Sequence, residues 1–220
     1  MIGPADVVAD YRDDGPVAVL LGRTGGDRVR VDPVLLTVAG LLPLVAIVVG
    51  SDQAPGTIPP GLGLAIGWLV LCAGVAAGRP ASTRLGWLVP PLLRLAEYAV
   101  LLVLVLLTDS QPLPVCFALL SVLSFHHYDT VYRIRARRAA PPMWVRLAGG
   151  GWDVRVLAAY VLLVIGGLAV GMGAAAVLLG VLYVGESVAS WLAPGPALAA
   201  SAELGAELGI DDGAEEGADE

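Results

Sequence analysis

Six apolar stretches lie at residues 33–50, 60–78, 86–108, 113–131, 154–171 and 173–193, and they constrain the fold more than any other feature. Each approaches the roughly 17–25 residues that a helix needs to cross a bilayer. The connections are punctuated where a helix cannot easily continue, at Pro55-Gly56, Pro59-Pro60, Arg79-Pro80, Gln111-Pro112 and Pro141-Pro142. Composition agrees: 57% of residues are hydrophobic and 15% charged, with a mean hydropathy of +0.78. A soluble domain carries about 45–50% apolar and about 25% charged residues. One aqueous core of this length cannot hide so much apolar surface. The pattern predicts an all-α membrane protein, a bundle of six transmembrane helices over residues 32–195.

The Arg pattern orients the bundle. All 13 basic residues are Arg, a bias that fits a GC-rich genome. Arg12, Arg23, Arg28 and Arg30 precede the first stretch, Arg79 and Arg84 join the second to the third, and Arg133, Arg135, Arg137, Arg138 and Arg146 join the fourth to the fifth. The connections near 51–59, 109–112 and 171–173 carry none. The positive-inside rule then predicts both termini in the cytoplasm. Residues 1–31 read as a cytoplasmic juxtamembrane segment, with a turn at Asp10 to Pro16 and then an amphipathic helix lying on the membrane surface. The net charge of −7 comes largely from the end of the chain, where eight of the 20 acidic residues fall between Glu203 and Glu220. Residues 196–220 are expected to be a disordered acidic cytoplasmic tail. A basic nucleic-acid-binding face is not in the pattern. Cys72 and Cys116 sit in apolar runs without metal-ligand spacing and read as small core residues. The acidic N-terminus has no signal-peptide character.

Ionisable residues inside apolar spans cost about 2.5–3.5 kcal/mol each on insertion scales, so they usually face a bundle interior. Arg94, Glu97, His126, His127, Asp129 and Glu186 are such residues, and all fall in the cytoplasmic half. Arg94 and Glu97 are spaced to pair on one helix face, and His126, Asp129 and Arg133 share another. One reading is a cavity in which Glu97, His126, His127, Asp129 and Glu186 act as acid–base groups. Glu97, Asp129 and Glu186 would then be candidate ligands for Mg or Mn, while Arg94, Arg133, Arg137, Arg155 and Tyr132 hold a phosphate. The other is a salt-bridge network that locks helix packing. The Gly149-Gly150-Gly151 turn offers either backbone N–H groups for a phosphate or a flexible loop with Asp153 as an N-cap. The small residues Gly166, Gly167, Gly171, Gly173, Ala174 to Ala176 and Gly180 suit close helix packing, including a homodimer contact.

Several phrases resemble known membrane proteins. Asp32-Pro33 through Leu41 resembles the Pro-x-x-Leu-Thr-x-x-Gly-Leu opening of the CDP-alcohol phosphotransferases, six-span enzymes of phospholipid headgroup synthesis. Ser82 to Trp87 with Arg94 to Tyr98, His127 to Arg137, and Asp153-Val154-Arg155 are similar to the third span, the exit of the fourth and the start of the fifth in that family. The phrases Tyr11 to Pro16, Phe125 to Arg133 and Gly185-Glu186-Ser187 resemble an actinobacterial membrane domain of unknown function found with CDP-alcohol phosphotransferase modules. The resemblance implies the phosphotransferase arrangement of helices, membrane lipids as ligands and a CDP-alcohol phosphotransferase as a partner. The enzyme signature D-G-x-x-A-R followed by G-x-x-x-D-x-x-x-D is not kept. With Gly86 as the central glycine, the two aspartate positions hold Pro90 and Arg94, and no Asp lies between Asp52 and Asp109.

Two functional expectations remain open. One is a catalytically degenerate relative that supports phospholipid or phospho-alcohol synthesis by binding a lipid or a partner synthase. The other is an enzyme, a metal-dependent transferase or lyase, with a rebuilt cavity acting on a nucleotide-activated lipid or an isoprenyl diphosphate. A transporter is the weakest reading, because no inverted repeat or broken-helix pair is evident.

Overall fold

The computed structural model describes residues 11–50, 56–79, 85–108, 112–137 and 140–192. The expected acidic tail at 196–220 lies outside the described residues, as do Arg84 and Arg138. Among the described residues the chain is helical, without strands. The helices are α1 (Pro16–Gly25), α2 (Pro33–Gly50), α3 (Leu62–Ala77), α4 (Val89–Leu106), α5 (Leu113–Arg137), α6 (Met143–Ala148), α7 (Gly151–Val164) and α8 (Leu168–Leu192). A single 3-10 turn, Gly86–Leu88, leads into α4, whose Pro90 and Pro91 occupy the first turn, where a missing N–H costs nothing.

Among the described residues four helical stretches are long and apolar enough to cross a membrane: Pro33–Gly50, Gly86–Leu106, Met143–Val164 and Leu168–Leu192. Leu62–Ala77 is equally apolar but shorter. α5 is 25 residues long, yet its second half carries His126, His127, Asp129 and three Arg residues, which dilute its apolar character. Among the described residues helix therefore forms in all the expected apolar stretches, and four helical stretches meet the length and polarity of a span.

Two boundaries differ from expectation. The break between the last two long helices falls at Ile165–Gly167 and not at 171–173. Gly166 adopts a φ of +74°, a conformation open to Gly and costly for other residues, so the chain turns there. Helix α5 does not stop at residue 131. It continues to Arg137, which places the whole polar run on one rigid rod.

α1 packs on α3, α2 on α3, α4 on α7 and α5 on α8. One core joins Leu101, Leu104, Cys116, Leu123, Val156 and Met172. A second, against α1, joins Ala18, Leu69, Ala73, Leu93, Ala96 and Trp152. The outer faces are apolar too: Val49, Leu64, Val170 and Val181 are all largely exposed. A protein dissolved in water rarely shows so wide an apolar surface. Cys72 and Cys116 are buried free thiols, as expected.

Candidate functional site

The polar residues of the spans gather into two networks. The first is built on Arg155, one turn into α7. Its Nε donates to Glu97 Oε1 at 2.6 Å and its Nη2 to Asp13 Oδ2 at 2.7 Å. Its Nη1 reaches the Gly149 carbonyl at 3.1 Å and the Tyr183 hydroxyl at 3.3 Å. Glu97 comes from α4, Tyr183 from α8 and Asp13 from the turn before α1, so one guanidinium ties four parts of the chain. Its planar fork of donors suits this better than a Lys ammonium would.

Asp13 is the residue that sequence reasoning missed. It was visible only as one charge in the Asp10 to Pro16 turn. In the structure it is 3% exposed and adopts a φ of +54°. Short polar side chains tolerate this left-handed conformation better than most. The twist aims the carboxylate inward, where the Nε2 atoms of His127 and His126 lie 3.4 and 3.8 Å away. Burial by itself would raise the Asp13 carboxyl. The Arg155 guanidinium, with the two imidazoles, reverses this and holds it well below the ordinary carboxylate range. His127 Nδ1 lies 2.9 Å from the Tyr98 hydroxyl, which accepts in turn from Ser124 Oγ at 3.2 Å. The run Ser124, Tyr98, His127, Asp13 is consistent when the His127 proton sits on Nε2. His126 stacks on Tyr183 with ring centres 3.8 Å apart.

Arg94 and Glu97 were expected to pair on one face of their helix. Instead Arg94 Nη2 donates to the Tyr11 carbonyl at 2.6 Å, and Glu97 bonds Arg155. The Glu97–Arg155 bond joins two helices and is buried, which strengthens it. Asp153 does cap a helix, but not its own. Its two oxygens accept from Gly15 N at 2.7 Å and Ala18 N at 2.8 Å, at the start of α1. The Gly149-Gly150-Gly151 turn presents no open cradle, because Asp13 to Gly15 lie directly against it. Trp152 N donates to the Asp13 carbonyl at 3.2 Å, and a Cβ on Gly151 would strike the Gly15 backbone. Arg12 and Trp152 complete the clasp through Asp14, and Arg12 also reaches the Ala73 carbonyl. The amphipathic helix is therefore bolted to the bundle and does not simply float on a surface.

The second network joins α5 to α8. Arg133 makes a two-pronged pair with Glu186, both contacts at 2.7 Å, and reaches Asp129 Oδ2 at 2.8 Å. Asp129 Oδ1 accepts from Ser187 Oγ at 3.0 Å and Trp191 Nε1 at 3.1 Å. Arg137 lies 4.0 Å over the Trp191 ring and donates to the Ser190 and Trp191 carbonyls at the end of α8. Such carbonyls lack intrahelical partners, and a cation there also suits the helix dipole. Tyr132 is half exposed and packs between Tyr128 and Trp191.

The candidate site residues thus divide. Glu97, His126, His127, Arg94 and Arg155 surround Asp13, while Asp129, Glu186, Arg133, Arg137 and Tyr132 form the α5–α8 lock. The donor set does not fit Mg or Mn. Glu97 is engaged by Arg155, and Asp129 and Glu186 by Arg133, each already facing a cation. Among the described residues no group of three or more His, Cys, Asp or Glu side chains is arranged to hold a metal ion. Among the described residues two buried side-chain atoms lack a hydrogen-bond partner, Glu97 Oε2 and Arg133 Nε.

Fold and site together define an all-helical protein with membrane-length apolar helices, pinned at one end by buried ion pairs. The chain belongs to DUF5941, a family of unknown function, which it matches over residues 3–207. No curated protein and no solved structure matches it.

Proposed function

We propose that this chain is a six-span protein of the bacterial cytoplasmic membrane, with both termini inside, that serves phospholipid or phospho-alcohol metabolism without metal catalysis. Its role is to bind a phosphorylated lipid or a partner CDP-alcohol phosphotransferase. The observation that carries this reading is mutual neutralisation. Arg155 is satisfied by Asp13 and Glu97, Arg133 by Asp129 and Glu186, and both His side chains face Asp13. A group so paired has little freedom to exchange a proton or take a metal, and breaking a buried pair costs about 3–5 kcal/mol. The absence of the phosphotransferase aspartates from the sequence points the same way.

Glu97 Oε2 favours the second reading, an enzyme acting on a phosphate- or diphosphate-bearing amphiphile, because an unpartnered buried carboxylate oxygen is a candidate base. Native mass spectrometry of the detergent-purified chain, with and without chelator, separates the two when combined with turnover assays on nucleotide-activated lipids. The binding reading expects phosphorylated lipid or a synthase to co-purify, unaffected by chelator and retained in Glu97→Gln. A chelator-sensitive turnover abolished by Glu97→Gln in a folded protein would replace it with the enzyme.

A further inference from the structure

The carboxylate at the centre of the first network does not belong to the long helices. Asp13 comes from the turn before α1, while the groups that hold it come from the bundle. Arg155 Nη2 of α7 lies at 2.7 Å, and His127 Nε2 and His126 Nε2 of α5 lie at 3.4 and 3.8 Å. Arg94 of α4 and Thr130 of α5 join Asp13 and His126 around the same hollow, which is too tight to admit a water. Without Asp13, the helices would present Arg94 and Arg155 against one carboxylate, Glu97, an excess of one positive charge. Arg146 also lines the hollow but has a partner of its own, and Asp153 is turned to the N–H groups of α1, so neither enters that balance. The bundle thus builds a seat for an anion, and the N-terminal turn fills it. Filling it puts Asp13 at a φ of +54°, the one positive φ at a non-glycine position among the described residues. Such backbone persists only where surrounding contacts demand it.

An apolar cleft begins at the same guanidinium. Arg155 and Gly149 line one end, and Ala158, Ala159 and Leu162 continue it along α7 against Ala175 of α8. From Arg155 to Leu162 it runs about 10 Å, at 1.5 Å per helical residue. Its volume is about 190 Å³. Whole small molecules take pockets of about 300–1,000 Å³, so this space suits one hydrocarbon chain of a larger amphiphile. Ala158 is exposed, so the cleft opens sideways, between two stretches of membrane length. Left empty, it would forfeit the dispersion contacts of its lining. A positive seat at the head of an apolar slot matches a phosphate that carries an acyl tail.

We propose that Arg155, His126 and His127 form the seat for the phosphate of a membrane phospholipid, that Asp13 occupies this seat as a tethered carboxylate, and that the cleft between α7 and α8 takes one acyl chain of the incoming lipid. This rests on the lipid-binding reading and gives the lipid its place. The phosphate exchanges with Asp13 on Arg155, so the guanidinium is never left with Glu97 alone.

The test uses the full chain extracted from mixed phosphatidic acid and phosphatidylcholine vesicles, with retained lipid identified by native mass spectrometry. Asp13→Gly removes the tethered carboxylate and suits the positive φ. It should raise retention of phosphatidic acid about tenfold over the wild type, the scale of one charge-assisted contact no longer competed for. Adding Arg155→Met to Asp13→Gly should cancel the gain. Adding Ala158→Trp, which fills the cleft without changing charge, should cancel it too. Asp153→Ala loosens the N-terminal turn without touching the seat and should shift retention the same way as Asp13→Gly, so the test stands even if Asp13→Gly does not fold. Equal retention of phosphatidic acid in wild type, Asp13→Gly and Asp153→Ala would overturn the tethered carboxylate while leaving lipid binding elsewhere intact. A gain that survives Arg155→Met would overturn the seat. Displacement of the lipid from Asp13→Gly by millimolar inorganic phosphate would overturn the acyl cleft, because a free phosphate would then suffice. No phosphorylated lipid on any of the three would overturn this site and the lipid arm of the proposed function together.

Discussion

Asp13 and Arg155 meet at 2.7 Å although 142 positions separate them in sequence. The contact joins the turn before α1 to the first turn of α7, inside a cluster that also holds Glu97 and both His residues. It decides whether the N-terminal segment is part of the bundle. Replacing Asp13 by Asn leaves Arg155 with only one carboxylate in a buried setting, and loss of one partner of such a pair costs about 3–5 kcal/mol. Thermal unfolding in detergent should show Asp13→Asn and Arg155→Met each strongly destabilised. The double variant should lose much less than the sum, because the two share one interaction.

The same pair has a pH signature. The Asp13 carboxyl is held below its ordinary value of 3.8, so its contribution to stability is complete above that value. It is lost as pH falls through the lower, folded-state value. From about pH 8 down to about pH 5 this group should leave the unfolding temperature unchanged, and acid should act on it only below about pH 4. Wild type and Asp13→Asn compared by thermal unfolding across that range should converge in stability at the acid end. Parallel curves throughout would show that the carboxylate charge does not matter.

The α5–α8 lock predicts an order of effects. Arg133→Met strands two carboxylates. Glu186→Gln removes the two-pronged partner but leaves Arg133 its 2.8 Å contact with Asp129. Asp129→Asn retains an oxygen that can still accept from Ser187 and Trp191. Loss of stability should therefore fall in the order Arg133→Met, Glu186→Gln, Asp129→Asn. An equal effect for all three would mean that helix packing, and not the charges, holds α5 to α8.

Asp153 makes a local prediction. Its two bonds to Gly15 N and Ala18 N are an N-cap supplied by another helix. Removing a capping side chain costs about 0.5–2 kcal/mol. Asp153→Ala should free α1 before it affects the long helices, so limited proteolysis is expected to cut between residues 11 and 32 while the remainder stays intact. Cleavage spread evenly through the chain would show that Asp153 supports α7 instead.

The apolar stretches and the polar run Phe125 to Arg133 were legible because hydropathy and helical spacing are local properties. Asp129 and Glu186 could be singled out as misplaced in lipid, since charge in an apolar run is conspicuous, and Arg133 could be placed on the same helix face as Asp129. Their pairing was not legible, because it depends on how α5 rotates against α8. Asp13 was hidden for the opposite reason: a charged residue in a polar turn raises no alarm, and only the tertiary fold carries it under His126 and His127. Arg94 and Glu97 misled because i, i+3 spacing permits a pair but does not compel one when Tyr11 and Arg155 offer better partners. The early break at Gly166 was masked by a run of small residues in which several glycines were equally good places to turn.

The crossing of α1 over α3 gives the sharpest contrast. A Cβ on Gly22 would strike the backbone N of Gly78, which cannot move aside as a side chain can. Gly67, on α3 as well, has nothing within 4 Å of its Cβ position. Gly22→Leu should therefore lift α1 from α3, with overpacking costs of about 1–3 kcal/mol. Gly67→Leu should be neutral or slightly stabilising, since Gly within a helix is worth about 1 kcal/mol less than a good helix former. Amide hydrogen exchange reads the difference directly: exchange over residues 16–25 should rise in Gly22→Leu and stay as in the wild type in Gly67→Leu. If both variants exchanged alike, the two backbones would not be in contact at this crossing.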